Sequence, residues 1–350
     1  MNTATKPRGL FLFLHRINNI TTRSLEHVAR CLEAEEKACS IRFDHAGDAL
    51  SRIAESDTAA PRTLVFTDIE AAVELGADTI RRLAKENRTV LELRADILEY
   101  EYHPLVRDAA RLQEIINLCR HIDIIITPSA YSKERLTMPG MDADRIRVMR
   151  RGVMPGIPQG PQAVIHDGHR DQAFQLITTS GLLWSKGHDR ILETASELRR
   201  RGIAFRWILT GDGPNHEWLN FELHRRQLED VVIPPRRRWT AKAIHRALAE
   251  SDLYVQLPRS EYMGYCMMDA AAVGLPCLST ETGMIREVFT HGETALLIDP
   301  FRAAALADRI ISLMQDIDLR KQLAKKSREM ICRTYTVDNY IDGYRKLCTT

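Results

Sequence analysis

Four short segments in the second half of the chain gather residues that can bind phosphate or shift charge. Lys186-Gly187 pairs a cation with a flexible backbone, so an ammonium can meet phosphate oxygens beside free amides, although such a pair is also an ordinary solvated turn. Gly211-Asp212-Gly213-Pro214 is a tight turn in which glycine lets backbone approach a ligand or merely turns the chain. Arg259-Ser260-Glu261-Tyr262-Met263-Gly264-Tyr265 precedes Asp269-Ala270-Ala271, with seven residues between Glu261 and Asp269. A helix opening near Gly264 would put its free amides toward an anion and Asp269 about a turn and a half along, with Glu261 on the loop before it. The two acids can then touch different parts of one ligand without facing each other. Thr280-Glu281-Thr282-Gly283-Met284, with Glu287 behind it, forms another such loop. Each acid taken singly also suits a helix cap or a surface ion pair.

These loops need strands and helices to present them, and the hydrophobic pattern supplies both. In the first half, short apolar runs at 10–14, 63–66, 90–93, 122–126 and 146–149 read as buried strands. They alternate with helical stretches at 22–35, 69–85, 105–119 and 132–138. The turn-rich stretch 154–161 interrupts the pattern and suggests a boundary. Strands at 174–178, 204–209, 231–233, 253–255, 276–279 and 295–298 then alternate with helices to about 314, and the tail from 319 is helical. Such alternation predicts α/β structure with parallel sheets covered on both faces, whose ligands gather at the carboxyl ends of strands. The expected division is 1–158, 159–318 and a carboxyl-terminal helical segment 319–350 packing back on the first domain.

Composition narrows the partners. A formal charge of +2 offers no general attraction for a nucleic-acid polymer. The seven cysteines lack the paired spacings of a zinc site or a secreted disulfide framework, so no metal is expected and reduced cytosolic thiols are the plain reading. No apolar run is long enough to span a bilayer, and 10–14 is too short for a signal peptide. A cytoplasmic protein is expected, with any membrane contact peripheral. Pro235-Arg236-Arg237-Arg238-Trp239 can attract an anionic acceptor or a phospholipid surface, or simply be a solvated loop around a packed tryptophan. Trp184, Trp207 and Trp218 are first read as packing residues.

Taken in order, these segments resemble glycosyltransferase family 4, which has the two-domain GT-B architecture. The likeness lies in Leu182-Leu183-Trp184-Ser185-Lys186-Gly187, Thr210-Gly211-Asp212-Gly213-Pro214, Ser260-Glu261-Tyr262-Met263-Gly264, Asp269-Ala270-Ala271-Ala272-Val273-Gly274-Leu275-Pro276 and Thr282-Gly283-Met284 with Glu287. It implies two Rossmann-like domains facing a cleft, with carboxyl-terminal helices crossing back. It also implies a retaining transfer that needs no bound metal or permanent cofactor. The donor would be a UDP- or GDP-sugar held by the second domain, and the acceptor a carbohydrate or glycolipid approaching from the first. Lys186 would neutralise the diphosphate and the charge growing on it, Glu261 would lie near the transferred sugar, and Asp269 would contact the ribose. Gly213, Gly264, Tyr265, Gly283 and Met284 would complete the donor site, the last four through backbone. Polysaccharide or lipopolysaccharide synthesis is the implied setting.

The chain departs from the family pattern in places. Ser180-Gly181 stands where Gly-Arg is usual, removing a diphosphate-binding arginine, and Arg190 is not an evident replacement. Asp269 replaces glutamate, shortening its reach, and Tyr262 replaces a glycine. The loop 16–22 lacks the usual paired glycines, and no counterpart to the family histidine is evident around Arg94 and Asp96. His15 and His103 are the candidates for acceptor contact. These losses leave open a catalytically silent nucleotide-sugar-binding homologue that regulates or scaffolds another enzyme.

Overall fold

The computed structural model describes residues 11–16, 23–35, 38–43, 46–55, 62–67, 69–93, 109–137, 140–153, 157, 162–165, 173–235, 239–262, 264–299 and 301–347. Arg94, Asp96, His103, the loop 17–22 and Arg236, Arg237 and Arg238 lie outside the described residues, as does the side chain of His15. The chain divides into two compact units, Met1–Gly152 with Val337–Thr350, and Val153–Thr336.

In the first unit, β1 (Phe11–Arg16), β2 (Ala38–Phe43), β3 (Thr63–Phe66), β4 (Arg88–Glu92), β5 (Ile124–Thr127) and β6 (Ile146–Val148) form a parallel sheet ordered β2-β1-β3-β4-β5-β6. Apolar residues run continuously along β3 and β5 because both faces of the sheet are covered, and Leu64, Val65, Phe66 and Ile126 are fully buried. Strand β2 and the Ala46–Glu55 helix after it were not anticipated from the sequence. Ser40 and Arg42 interrupt the apolar run of β2, so its place as a strand is decided by pairing along β1. The stretch expected as one helix over 69–85 is two, Ile69–Leu75 and Ala77–Leu83, parted at Gly76.

In the second unit, β7 (Phe174–Thr179), β8 (Phe205–Thr210), β9 (Val232–Ile233), β10 (Leu253–Gln256), β11 (Cys277–Thr280) and β12 (Leu296–Ile298) form a parallel sheet ordered β12-β11-β10-β7-β8-β9. Counted from β7, this is the 3-2-1-4-5-6 order of the dinucleotide-binding fold. Successive strand residues point to opposite faces. Leu176 therefore joins a core with the His188–Arg200 and Ala303–Gln315 helices, whereas Ile177 packs with Met267, Met268 and Ala271 of the Tyr265–Val273 helix. Burying each such large apolar side chain stabilises the unit by about 1.5–3 kcal/mol.

The two closing helices go to different units. Ile317–Thr334 packs on the Tyr265–Val273 helix and contributes Ile331 to that core. Val337–Leu347 returns to the first unit, where Tyr340, Ile341 and Tyr344 lie buried with Phe13, Val28, Leu32 and Val90. The Tyr340 and Tyr344 hydroxyls both donate to the buried carboxylate of Glu92, the latter at 2.6 Å. The carboxyl-terminal helices thus cross back as expected, through the last of them. Among the described residues no helix is long and apolar enough to cross a membrane.

Candidate functional site

Strands β7 and β10 are neighbours in space but are separated in sequence by β8 and β9, so the sheet is extended in opposite directions from this pair. A crevice opens at such a switch point, because the loops leaving the two strands turn to opposite faces. The loop leaving β7 carries Lys186 and the loop leaving β10 carries Glu261. Topology therefore brings together two residues 75 positions apart.

Lys186 ends the one-turn 3₁₀ segment Trp184–Lys186, and its Nζ lies 2.9 Å from Glu261 Oε1. The same oxygen accepts the Gly264 N–H at 3.0 Å. Gly264 is the residue before the Tyr265–Val273 helix, so the carboxylate sits at the positive end of that helix as well as beside the ammonium. The pair is largely withdrawn from water, with side-chain exposure of 22% for Lys186 and 8% for Glu261. A cation, an acid and a helix amino terminus thus converge on one place, a set suited to a phosphate ester bearing a polar group.

The loops are held by backbone contact. A Cβ added to Gly187 would lie 2.0 Å from Leu257 O, so only glycine lets the Lys186 loop touch the end of β10. Gly283 meets the second loop in the same way, with Glu261 O at 2.1 Å from the position of a Cβ. The Met284 N–H donates to that carbonyl at 2.9 Å, and the Thr280 and Thr282 hydroxyls donate to Pro258 O and Arg259 O. The loop after β8 joins through Leu182, whose N–H donates to Asp212 O at 3.0 Å, while Gly213 packs against the Leu182 backbone.

Lys186, Glu261, Gly264, Gly283 and Met284 are therefore contiguous, and Gly213 borders the Lys186 loop. Met284 is fully buried, with its N–H on the Glu261 carbonyl, and Tyr265 is nearly so. Asp269 is half-buried in the first turns of its helix. The thiol of Cys266 senses it: desolvation first, then the charges of Asp269 and Glu261, push that thiol up to about 11, while Lys186 acts in the opposite sense.

Two further arrangements were not singled out from the sequence. Arg259 stacks on the Trp184 ring, its guanidinium carbon 4.0 Å from the centroid, and forks onto Asp189 at 2.8 and 2.5 Å. Trp184 thus has a partner in the site, whereas Trp207 is a buried packing residue whose indole N–H donates to Thr178 Oγ1. His188 is 2% exposed, with Nε2 3.2 Å from the Ser180 hydroxyl, and burial pushes its pKa down to about 4. The only sequence signal for either was position: Asp189 and His188 follow Lys186-Gly187, and Arg259 precedes Glu261 by two. Among the described residues no group of three or more His, Cys, Asp or Glu side chains is arranged to hold a metal ion.

Residues 166–330 match the family model described as glycosyl transferases group 1. The N-acetyl-alpha-D-glucosaminyl L-malate synthase of Bacillus anthracis is 28% identical over 140 residues, covering 40% of this chain and 36% of that protein. The GDP-mannose-dependent alpha-(1-6)-phosphatidylinositol monomannoside mannosyltransferase of Mycobacterium tuberculosis is 22% identical over 278 residues, covering 73% of this chain and 68% of that protein. Across several curated relatives the chain spans from about a third to just over half of their length. Among solved structures, Anabaena Alr3699/HepE in complex with UDP-glucose aligns with a TM-score of 0.75 at 16% identity, covering 97% of this chain and 99% of that one. The sucrose-phosphate synthase (tll1590) from Thermosynechococcus elongatus aligns with a TM-score of 0.77 at 13% identity, covering 97% and 98%. Lys186, Glu261 and Asp269 all fall inside the segment that matches the glycosyl transferases group 1 model, and the structural matches extend over nearly the whole chain, whose fold is GT-B.

Proposed function

We propose that the protein is a retaining, metal-independent hexosyltransferase that moves a sugar from a UDP- or GDP-sugar to a glycan, glycolipid or related acceptor. The observation that carries this reading is the Lys186–Glu261 pair at the amino terminus of the Tyr265–Val273 helix, on the loops that leave the two strands of the switch point. In it Lys186 holds the diphosphate and Glu261 faces the transferred sugar. Asp269 takes the ribose hydroxyls, while Gly213, Gly264, Tyr265, Gly283 and Met284 shape the donor pocket. Similar solved structures are complexes with UDP and with UDP-glucose, and a relative is named as GDP-mannose-dependent, which supports a nucleoside-diphosphate sugar. A lipid-linked acceptor is supported in the same way by the phosphatidylinositol mannoside in that relative's name, and would be met peripherally at a membrane surface.

The bond from the anomeric carbon to the diphosphate breaks as the acceptor oxygen bonds the same face of the sugar. The acceptor proton passes to the departing phosphate oxygen, and Lys186 stabilises the charge left there. Glu261 can balance positive charge growing on the sugar.

A silent nucleotide-sugar-binding homologue is the second reading, favoured by Ser180-Gly181 where the family has its arginine. Titration with UDP-, GDP-, ADP- and CMP-sugars, followed by transfer to glycan and glycolipid acceptors, separates the two. Selective binding with turnover is expected, and binding without turnover across the acceptor panel supports the silent homologue. Glu261→Gln should lower kcat at least about 100-fold while leaving the fold intact. Lys186→Ala should weaken donor binding about tenfold. Wild-type turnover in the first variant, or unchanged donor affinity in the second, refutes the assigned role.

A further inference from the structure

Lys186 and Glu261 can serve one donor only if two separate loops keep a fixed spacing. Long side chains do not supply that by themselves, because each reactive group ends several rotatable bonds from its backbone. Here the two loops are joined a few residues from both groups. Ser185 O accepts the Arg259 N–H at 2.7 Å. The Arg259 side chain then spans the Lys186 loop on both sides. Two residues before Lys186, Trp184 offers its ring at 4.0 Å and its carbonyl at 3.2 Å to Arg259. Three residues after Lys186, Asp189 accepts both arms of the guanidinium at 2.8 and 2.5 Å. Arg259 is itself two residues before Glu261.

We propose that Arg259 is a positioning residue that clamps the Lys186 loop to the Glu261 loop and thereby sets the spacing between diphosphate cation and sugar-facing acid. The inference rests on the glycosyl-transfer reading above. It also separates Arg259 from the missing family arginine: its fork is engaged by Asp189 and its face by Trp184, so it acts through the loops and not on the phosphate. Asp189 is a full member of the clamp. Burial raises its pKa, but the Arg259 hydrogen bonds and charge outweigh that and keep the carboxyl below its usual range, so it stays an anion for the fork. A lysine cannot replace this arginine, since it offers neither a planar fork nor a flat cation for the indole.

The test is a double-mutant cycle on Arg259→Gln and Asp189→Asn, with Arg259→Lys as the charge-preserving control. Each of the three single variants should lower kcat about 10- to 100-fold, the scale of a misplacement of about 1 Å. Donor affinity should move less than about threefold, since bound phosphate is not touched. The double variant should be no worse than the weaker single, because both changes remove one interaction. A loss confined to donor affinity and rescued by Arg259→Lys would make Arg259 a phosphate ligand and overturn the proposal, as would additive effects or unchanged kcat.

A second measurement needs no turnover. In Arg259→Gln, amide exchange at Lys186 and Gly187 should quicken at least about tenfold relative to wild type, while the sheet amides stay protected. If wild-type protein transfers no sugar from any donor, the functional reading fails, and quickened exchange still upholds the clamp. Unchanged exchange overturns the clamp whatever the activity.

Discussion

Glu261 gives one carboxylate oxygen to two donors, the Lys186 ammonium and the Gly264 amide. This satisfies a partly buried charge pair, for which an unpartnered member would cost several kcal/mol. Under the proposed function an incoming diphosphate would have to share or replace Glu261 at Lys186, which would link donor binding to the setting of Glu261 at one atom pair. His188, beneath the same loop, allows a test by pH. Its pKa falls from 6.5 to about 4, chiefly by burial, aided by Lys186 and opposed by the Leu183 backbone and Asp189. The unfolded chain takes up the proton first as pH drops, so folded stability is full above about 6.5 and declines until pH reaches about 4. A shift of this size is worth about 3 kcal/mol. Urea unfolding at pH 7 and pH 4.5 should therefore show a smaller acid loss in His188→Asn than in wild type. An identical loss in both would mean that His188 is not the group being protonated.

The loops that present the site depend on close backbone approach, and Gly283 is the clearest case. Its φ is +54, and a Cβ there would meet the Glu261 carbonyl, whose oxygen accepts the Met284 amide. Gly292 also has positive φ, +75, but nothing within 4 Å of a Cβ. Gly292→Ala thus bears only the conformational cost, about 1 kcal/mol, whereas Gly283→Ala must also move the Glu261 backbone and should lose about 2–4 kcal/mol. Transfer should fall in Gly283→Ala and stay near wild type in Gly292→Ala. Equal stability losses would show that the contact at Glu261 relaxes freely. The Tyr265–Val273 helix was legible in the sequence because Gly264 and Gly274 bracket it and both adopt positive φ. Strand β2 was not, because its register comes from β1 and not from its own pattern.

For the whole molecule, the last helix decides where the first unit ends. Tyr340 and Tyr344 close the core of that unit and satisfy Glu92 at the end of β4. Tyr344→Phe keeps the ring against Phe13 but removes one donor from a buried carboxylate, for an expected loss of about 1–3 kcal/mol. The loss should appear as faster hydrogen exchange in β1, β3 and β4, with β7 and β10 of the other unit unchanged. Equal loosening of both sheets would show that the two units unfold together. A helical tail was evident from sequence, but its division between Ile317–Thr334 in one unit and Val337–Leu347 in the other depends on which core accepts its apolar side chains.

The sequence by itself determined the alternation of strands and helices apart from β2 and the helix after it, the parallel character of both sheets, and the loops bearing Lys186 and Glu261. Each of these is written in local periodicity and turn chemistry, over windows of about a dozen residues. Tertiary structure alone decided the strand order that makes β7 and β10 neighbours, and with it the meeting of Lys186 and Glu261. It also decided the pairing of Arg259 with Asp189, 70 residues apart, and of Glu92 with the tyrosines of the last helix. Those contacts exist because distant segments share a sheet edge or a core, and no local pattern encodes which distant segment will arrive there.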